Sequence, residues 1–281
     1  MQGGVFMHLE YLTKETPWGT NPFPPDLQAE IIQGKRGRLL VTIYRTGGEG
    51  VHPTILLNHG FPGIEKNFDL AQALRRVGFH VLTYHYSGSW GSDGAYSYAN
   101  DLEDAESLLE FIETNETYGF DKENLFVVGH SVGGFVASHL LARHKELKSG
   151  VLLTPCDLGG VVAFPDDTEV KKLLMEIFEV GPLWLNGTSS AALFKEVSEC
   201  QAEYAISSLV EKLADRPVYC LGAAHDESCP PEAHCLPWVE KLRSIGGNVA
   251  YETLETDHSF SDVRLTMIEK VARFLVEQAE K

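Results

Sequence analysis

Residues 125–143 pass from one kind of regular structure to another within a single pentapeptide. Leu125, Phe126, Val127 and Val128 form a short apolar run suited to a buried strand. Residues 132–143 have helical composition, with the small residues Gly133, Gly134, Ala137 and Ser138 along the early turns. Between the two lies Gly129-His130-Ser131-Val132-Gly133. A chain that goes directly from strand to helix must turn within about two residues, which strains the backbone at the turn, and flanking glycines relieve the crowding. This unit belongs to folds in which parallel strands are joined by helices, so it limits the class of the whole chain to α/β.

The rest of the sequence reads in the same alternation. Residues 29–33 and 38–44 are predicted strands of an antiparallel hairpin turning over 34–37. Further strands are expected at 54–58, 79–84, 125–128, 151–154, 218–221 and 249–254. Helices are expected at 66–77, 100–115, 132–143 and 262–277, the last with Val263, Met267, Val271, Phe274 and Leu275 on one face. Between the strands near 154 and 217 lie about sixty residues, several times an ordinary crossover. They carry helical patterns at 170–180, 191–200 and 204–213, with Phe164, Phe178, Leu183 and Trp184 among their apolar residues. The division that follows is a core of 27–159 and 216–281, a helical cap at 160–215 and a Pro-rich N-terminal extension at 1–26.

Charge and composition exclude several roles. Against 23 Lys plus Arg stand 40 Asp plus Glu, a net charge of −17, which argues against nucleic-acid binding because phosphate needs a concentrated basic surface. No run approaches the ~18 consecutive apolar residues of a membrane span. Residues 1–20 lack the basic start and unbroken apolar stretch of an export signal, so a cytoplasmic location is expected. The five cysteines show no repeated spacing and suit reduced thiols. His225, Asp226, Cys229, His234 and Cys235 fall close together, but Pro230-Pro231 interrupts them and no C-x-x-C accompanies them. Neither a metal nor another cofactor is expected.

The turn lifts the Ser131 hydroxyl clear of the sheet edge and places the Val132 amide at a helix N-terminus, where unpaired donors favour an anion. Serine needs a base within hydrogen-bond reach. Of the eleven histidines, His258 is chosen by position, in the Asp257-His258-Ser259-Phe260 loop after the last strand. His130 points away from its neighbour and packs beside the sheet, and His59 braces its own loop through backbone hydrogen bonds. The acid that orients the base is assigned to Asp226, after the penultimate strand, with Asp157 as the alternative. Asp257, adjacent to His258, is poorly placed.

These residues resemble the α/β-hydrolase family, in its esterase and lipase or serine aminopeptidase-like branch, from about Leu27 to the end. The resemblance implies a mostly parallel central sheet of about eight strands with helices on both faces and a small helical cap. His59-Gly60-Phe61-Pro62-Gly63 is similar to the family's oxyanion loop, which makes the amides of Phe61 and Val132 the two donors. Gly91-Ser92-Asp93-Gly94 resembles the glycine-rich loop after the fourth core strand, and Ser228-Cys229-Pro230 follows the acid as in that branch. Two residues depart from the pattern: Ser87, where many relatives have arginine, and Cys229, where an aliphatic residue is usual. A serine rather than an aspartate at 131 argues against haloalkane dehalogenase or epoxide hydrolase chemistry. The expected activity is hydrolysis of small to medium carboxylic esters, aromatic or short-chain lipid esters included, through an acyl-enzyme. A serine peptidase of the same fold is the alternative, and a non-catalytic binding module a remote one. Trp90, Phe164 and Trp184 are the candidate substrate-binding residues, and a small-molecule ester is the expected partner.

Overall fold

Alternate residues of a strand point to opposite faces, so a strand apolar at every position is covered on both sides. Ile55 and Leu57 of one central strand join one buried cluster and Leu56 joins the other. The same alternation separates Phe126 and Val128 from Val127, and Val151 and Leu153 from Leu152. Two hydrophobic layers on either side of one sheet are the result. This is the arrangement in the computed structural model, which describes residues 7–15, 19, 21–165 and 168–281.

The sheet comprises β1 (Asp26–Gly34), β2 (Gly37–Arg45), β3 (His52–Asn58), β4 (His80–Tyr84), β5 (Phe120–His130), β6 (Leu147–Leu153), β7 (Val218–Ala223) and β8 (Val249–Leu254). Their order is β1-β2-β4-β3-β5-β6-β7-β8. β1 and β2 form an antiparallel hairpin, β2 runs antiparallel to β4, and all the remaining pairs are parallel. From β3 the chain steps to one side to form β4 and then crosses to the other side for β5. The order therefore reverses between β3 and β5, and a crevice opens there at the carboxyl ends of the strands.

Helices α1 (Phe68–Val77) and α11 (Arg264–Ala279) cover one face through Leu70, Leu74, Met267, Val271 and Leu275. α2 (Tyr98–Thr114), α3 (Val132–Arg143) and α10 (Leu236–Ser244) cover the other through Leu102, Leu108, Phe135, Val136, Trp238 and Leu242. Between β6 and β7 lie α4 (Leu158–Val162), α5 (Glu169–Val180), a 3-10 turn (Gly181–Trp184), α6 (Ser190–Glu199), α7 (Gln201–Tyr204), a second 3-10 turn (Ile206–Ser208) and α8 (Val210–Leu213). This insertion is tied to the loop after β4. Asn186 N donates to Gly88 O at 2.7 Å, Tyr96 N donates to Asn186 O at 2.9 Å, and Glu196 accepts from Ala99 N at 2.7 Å.

Several elements differ from the sequence reading. The single helix expected at 204–213 is broken into α7, a 3-10 turn and α8, because Asp157 captures the Ile206 amide at 2.9 Å. α9 (Pro231–His234) and α10 each begin with a proline in the first turn, where its missing N–H costs nothing, so Pro231 and Pro237 mark helix starts. β5 continues through Gly129 to His130. Within the 1–26 extension, Leu9–Leu12 forms a 3-10 turn against α1, with His8 N donating to Val77 O at 2.8 Å. The parts of the N-terminal readings that fall on residues 1–6, 16–18 and 20, Pro17 included, lie outside the described residues. Among the described residues no helix is long and apolar enough to cross a membrane.

Candidate active site

The turn after β5 holds Ser131 at φ 58°, a left-handed conformation rare for a side chain other than glycine. Its neighbours explain how the strain is held. A methyl group on Gly129 would overlap the Gly133 carbonyl, and one on Gly133 would overlap the Asn58 carbonyl, so neither position has room for a side chain. A Cβ on Gly60 would sit 2.8 Å from Ser131 Cβ, which shows how closely the loop after β3 approaches the serine. The serine's backbone is pinned on both sides. Ser131 N donates to Leu153 O at 2.9 Å, and Ser131 O accepts from Cys156 N at 2.9 Å and Gly134 N at 2.8 Å.

The loop after β8 brings His258 to the same edge, where His258 Nδ1 donates to Asp226 Oδ2 at 2.7 Å. The other carboxylate oxygen of Asp226 accepts from the amides of Ser228 at 2.8 Å and Cys229 at 2.7 Å, so the acid is fixed by backbone as well as by the imidazole. Asp157 is engaged elsewhere. Its carboxylate caps α4 at Gly160 N, 3.0 Å away, and also holds Ile206 N. Because Nδ1 of His258 carries the proton, Nε2 is left as an acceptor. Ser131 Oγ makes no hydrogen bond to it in this arrangement, although both residues line one cleft. Such bonds are often open before substrate binds.

Two further histidines brace the edge. His130 Nε2 donates to His258 O at 2.9 Å, and the two rings lie 4.8 Å apart. Burial holds His130 down at about 3, so it stays neutral and acts as a fixed donor. That role was missed in the sequence, where the two residues are 128 positions apart. His59 Nδ1 donates to Gly60 O at 2.7 Å, and burial likewise holds it at about 3. The amides of Phe61 and Val132 donate to no other group among the described residues.

The cleft has a volume of about 350 Å³. Phe61, Val132, Leu158, Ile177, Phe178 and Trp184 give it a mainly apolar wall, and Glu176 adds a carboxylate. Of the three aromatic residues expected to bind substrate, Trp184 lines the cleft and Phe164 and Trp90 do not. Trp90 is spent on the neighbouring loop, donating Nε1 to Pro62 O at 2.7 Å, with Lys66 Nζ 4.1 Å from its ring centre. Tyr98, Cys156 and Phe178 also face the cleft. Apolar spacing identifies Phe178 only as a helix residue, and no local pattern marks the other two.

Residues 53–198, just over half of the chain, match the profile of a family described by the alpha/beta hydrolase fold. The chain belongs to the α/β-hydrolase family. This α/β hydrolase is 31% identical over 103 residues to the lysophosphatidylserine lipase ABHD12 of Danio rerio, a stretch covering 36% of the chain and 26% of the lipase. It therefore spans about a quarter of that relative's length. Among solved structures it resembles a bacterial brefeldin A esterase, with a TM-score of 0.66 and 19% identity over 96% of this chain and 81% of the esterase. It also resembles the acylaminoacyl peptidase of Pyrococcus horikoshii, with a TM-score of 0.64 and 15% identity over 90% of this hydrolase and 41% of the peptidase.

Proposed function

We propose that this α/β hydrolase cleaves small to medium carboxylic esters through an acyl-enzyme formed on Ser131. The observation that carries the reading is the 2.7 Å bond from His258 to Asp226 beside a serine held at positive φ, all at one cleft. His258 Nε2 takes the proton from Ser131 Oγ as the hydroxyl attacks the ester carbonyl, and the imidazolium then protonates the departing alcohol. Water enters, gives its proton to the same histidine and releases the acid. The amides of Phe61 and Val132 receive the oxyanion, each donor contributing ~3–4 kcal/mol to the transition state. An apolar wall suits an acyl chain, and the lipase and esterase relatives are consistent with that choice. The insertion from α4 to α8 serves as the cap, since α5 and the 3-10 turn after it supply Glu176, Ile177, Phe178, Val180, Gly181 and Trp184 to the cleft.

Purified Ser131→Ala protein is expected to lose nearly all hydrolysis of p-nitrophenyl butyrate while keeping its circular dichroism and melting temperature. Full activity in that variant would sink the assignment. One observation favours an aminopeptidase-like second reading: the carboxylate of Glu176 at the cleft can pair with a substrate ammonium group. Rates on an aminoacyl anilide and on an acyl ester of equal size separate the two.

A further inference from the structure

Beside the cleft, and unused by the mechanism above, lies a second reactive group. The sulfurs of Cys156 and Cys229 and a ring nitrogen of His234 lie within 4.8 Å of one another, all three residues buried. Cys156 comes from the loop after β6, and the other two from the loop and helix after β7. Two thiols and an imidazole could in principle hold a metal, but the tautomer opposes it. His234 Nδ1 accepts a hydrogen bond from Asp157 N at 3.0 Å, so the ring's proton sits on Nε2, and the ring hydrogen-bonds Cys156. A ligating histidine has the reverse arrangement, with its second nitrogen donating outward. The ring is thus a donor toward sulfur.

We propose that Cys156 and Cys229 form a dithiol that reacts with organic hydroperoxides entering the cleft, and that the resulting disulfide disables the hydrolytic site. Both residues line the cleft, so a reagent accommodated there reaches the sulfurs directly. The apolar wall favours an alkyl or aryl hydroperoxide over hydrogen peroxide. The two sulfurs are unequal. A hydrogen bond from Cys229, and then one from His234, stabilises the Cys156 thiolate, while Cys229 is held in the thiol form. Cys156 is therefore the attacking sulfur. Its thiolate forms an S–O bond as the O–O bond breaks, and the leaving alkoxide takes a proton to become the alcohol. Cys229 sulfur then attacks the sulfenic sulfur, an S–S bond forms, and hydroxide leaves with the Cys229 proton as water. Two electrons pass from the dithiol to the hydroperoxide.

The effect on hydrolysis rests on the function proposed above, and the backbone supplies the link. Cys156 N holds the carbonyl of Ser131, and Cys229 N holds the carboxylate of Asp226. In the proposal, closing the sulfurs to about 2.05 Å is transmitted through these two amides and displaces at least one of the loops they hold.

The test exposes wild-type protein, Cys156→Ser and Cys229→Ser to cumene hydroperoxide, with hydrogen peroxide as a parallel arm. Peptide mapping and ester hydrolysis are read before and after dithiothreitol. In wild-type protein a 156–229 cross-linked peptide is expected, forming faster with cumene hydroperoxide. Activity is expected to fall by roughly tenfold or more, as when the acid orienting the base is displaced, and to return on reduction. Neither single variant forms the link. Cys156→Ser keeps its own untreated rate under oxidant, and Cys229→Ser accumulates the sulfenic acid. Ser131→Ala, inert as a hydrolase, still forms the link, so failure of the ester reading and failure of the dithiol are told apart. Absence of the cross-link in wild-type protein, or a cross-linked protein with undiminished turnover, overturns the proposal.

Discussion

Asp226 illustrates what one side chain is asked to do. It is buried, it receives two backbone amides on one oxygen, and it presents the other to His258. Asp226→Asn keeps the shape but removes the charge that fixes the histidine tautomer. A fall in kcat of roughly three to four orders of magnitude is expected, with little change in KM. Asp157→Asn, which alters a cap and the Ile206 bond, is expected to lower the melting temperature while sparing kcat. Steady-state kinetics and thermal melts on the two variants check both statements, and a large kcat loss confined to Asp157→Asn would reverse the roles. At this scale the sequence is legible where chemistry depends on chain position. Ser131 follows from its glycines, and His258 and Asp226 from the strand ends that carry them. It is silent where a partner is distant. Ser87, singled out as a departure from the family pattern, has its amide and hydroxyl on buried Asp104 at 2.6 and 2.9 Å, a link across 17 residues that no motif marks.

Among the elements, α5 and its continuation matter most because they carry one wall of the cleft. The helix ends where Gly181 packs against the Phe61 ring so closely that any Cβ would overlap it. Phe61 in turn lies 5.5 and 6.0 Å from the rings of Tyr96 and Tyr98 and has little freedom to retreat. Gly181→Ala is therefore expected to push Phe61, and the amide proposed as an oxyanion donor, out of position. A loss in kcat of roughly tenfold to a hundredfold is expected, since small displacements near reacting atoms cost that much. The melting temperature should move by only a few degrees, because among the side chains of α5 that are described only Phe178 enters a buried layer. Kinetics and calorimetry on the same sample decide it. Periodicity made this helix readable, because 170–180 is a regular amphipathic stretch. It misled at 204–213, where the apolar spacing is helical but a buried carboxylate diverts one backbone amide and breaks the hydrogen-bond ladder.

The whole molecule behaves as a sum of its buried ionisable groups. Burial holds His59, His80 and His130 at about 3 and His85 at about 4, and also lowers His52 and His139. In the unfolded chain these six imidazoles titrate near 6.5. Below that pH the unfolded state binds protons that the native state refuses, and stability declines with acidity. Asp101, Asp104 and Asp157 act in the opposite sense. Burial raises them, the last two to about 6, so the native state binds protons there that the unfolded chain does not. His144, raised chiefly by its bond to Glu106, is protonated in both states below 6.5 and drops out of this window, and Glu113 and Glu146, shifted in opposite senses, cancel. Cys156, lowered to about 5, acts with the six imidazoles, and these against three carboxyls leave a net loss between pH 6.5 and 4, at about 1.4 kcal/mol per pH unit for each net proton. Calorimetric melting temperatures should fall steadily across that window, and a flat or rising profile would contradict the balance.

The insertion leaves the sheet at the end of β6 and returns at the start of its immediate neighbour β7. Because the two strands run parallel, its roots lie at opposite edges of the sheet, and α8, buried through Val210 and Leu213, belongs to the return leg across the sheet face that any replacement segment would have to keep. A graft meant to reshape the cleft wall is therefore confined to the stretch around α5 and the turn after it, with the return leg left in place.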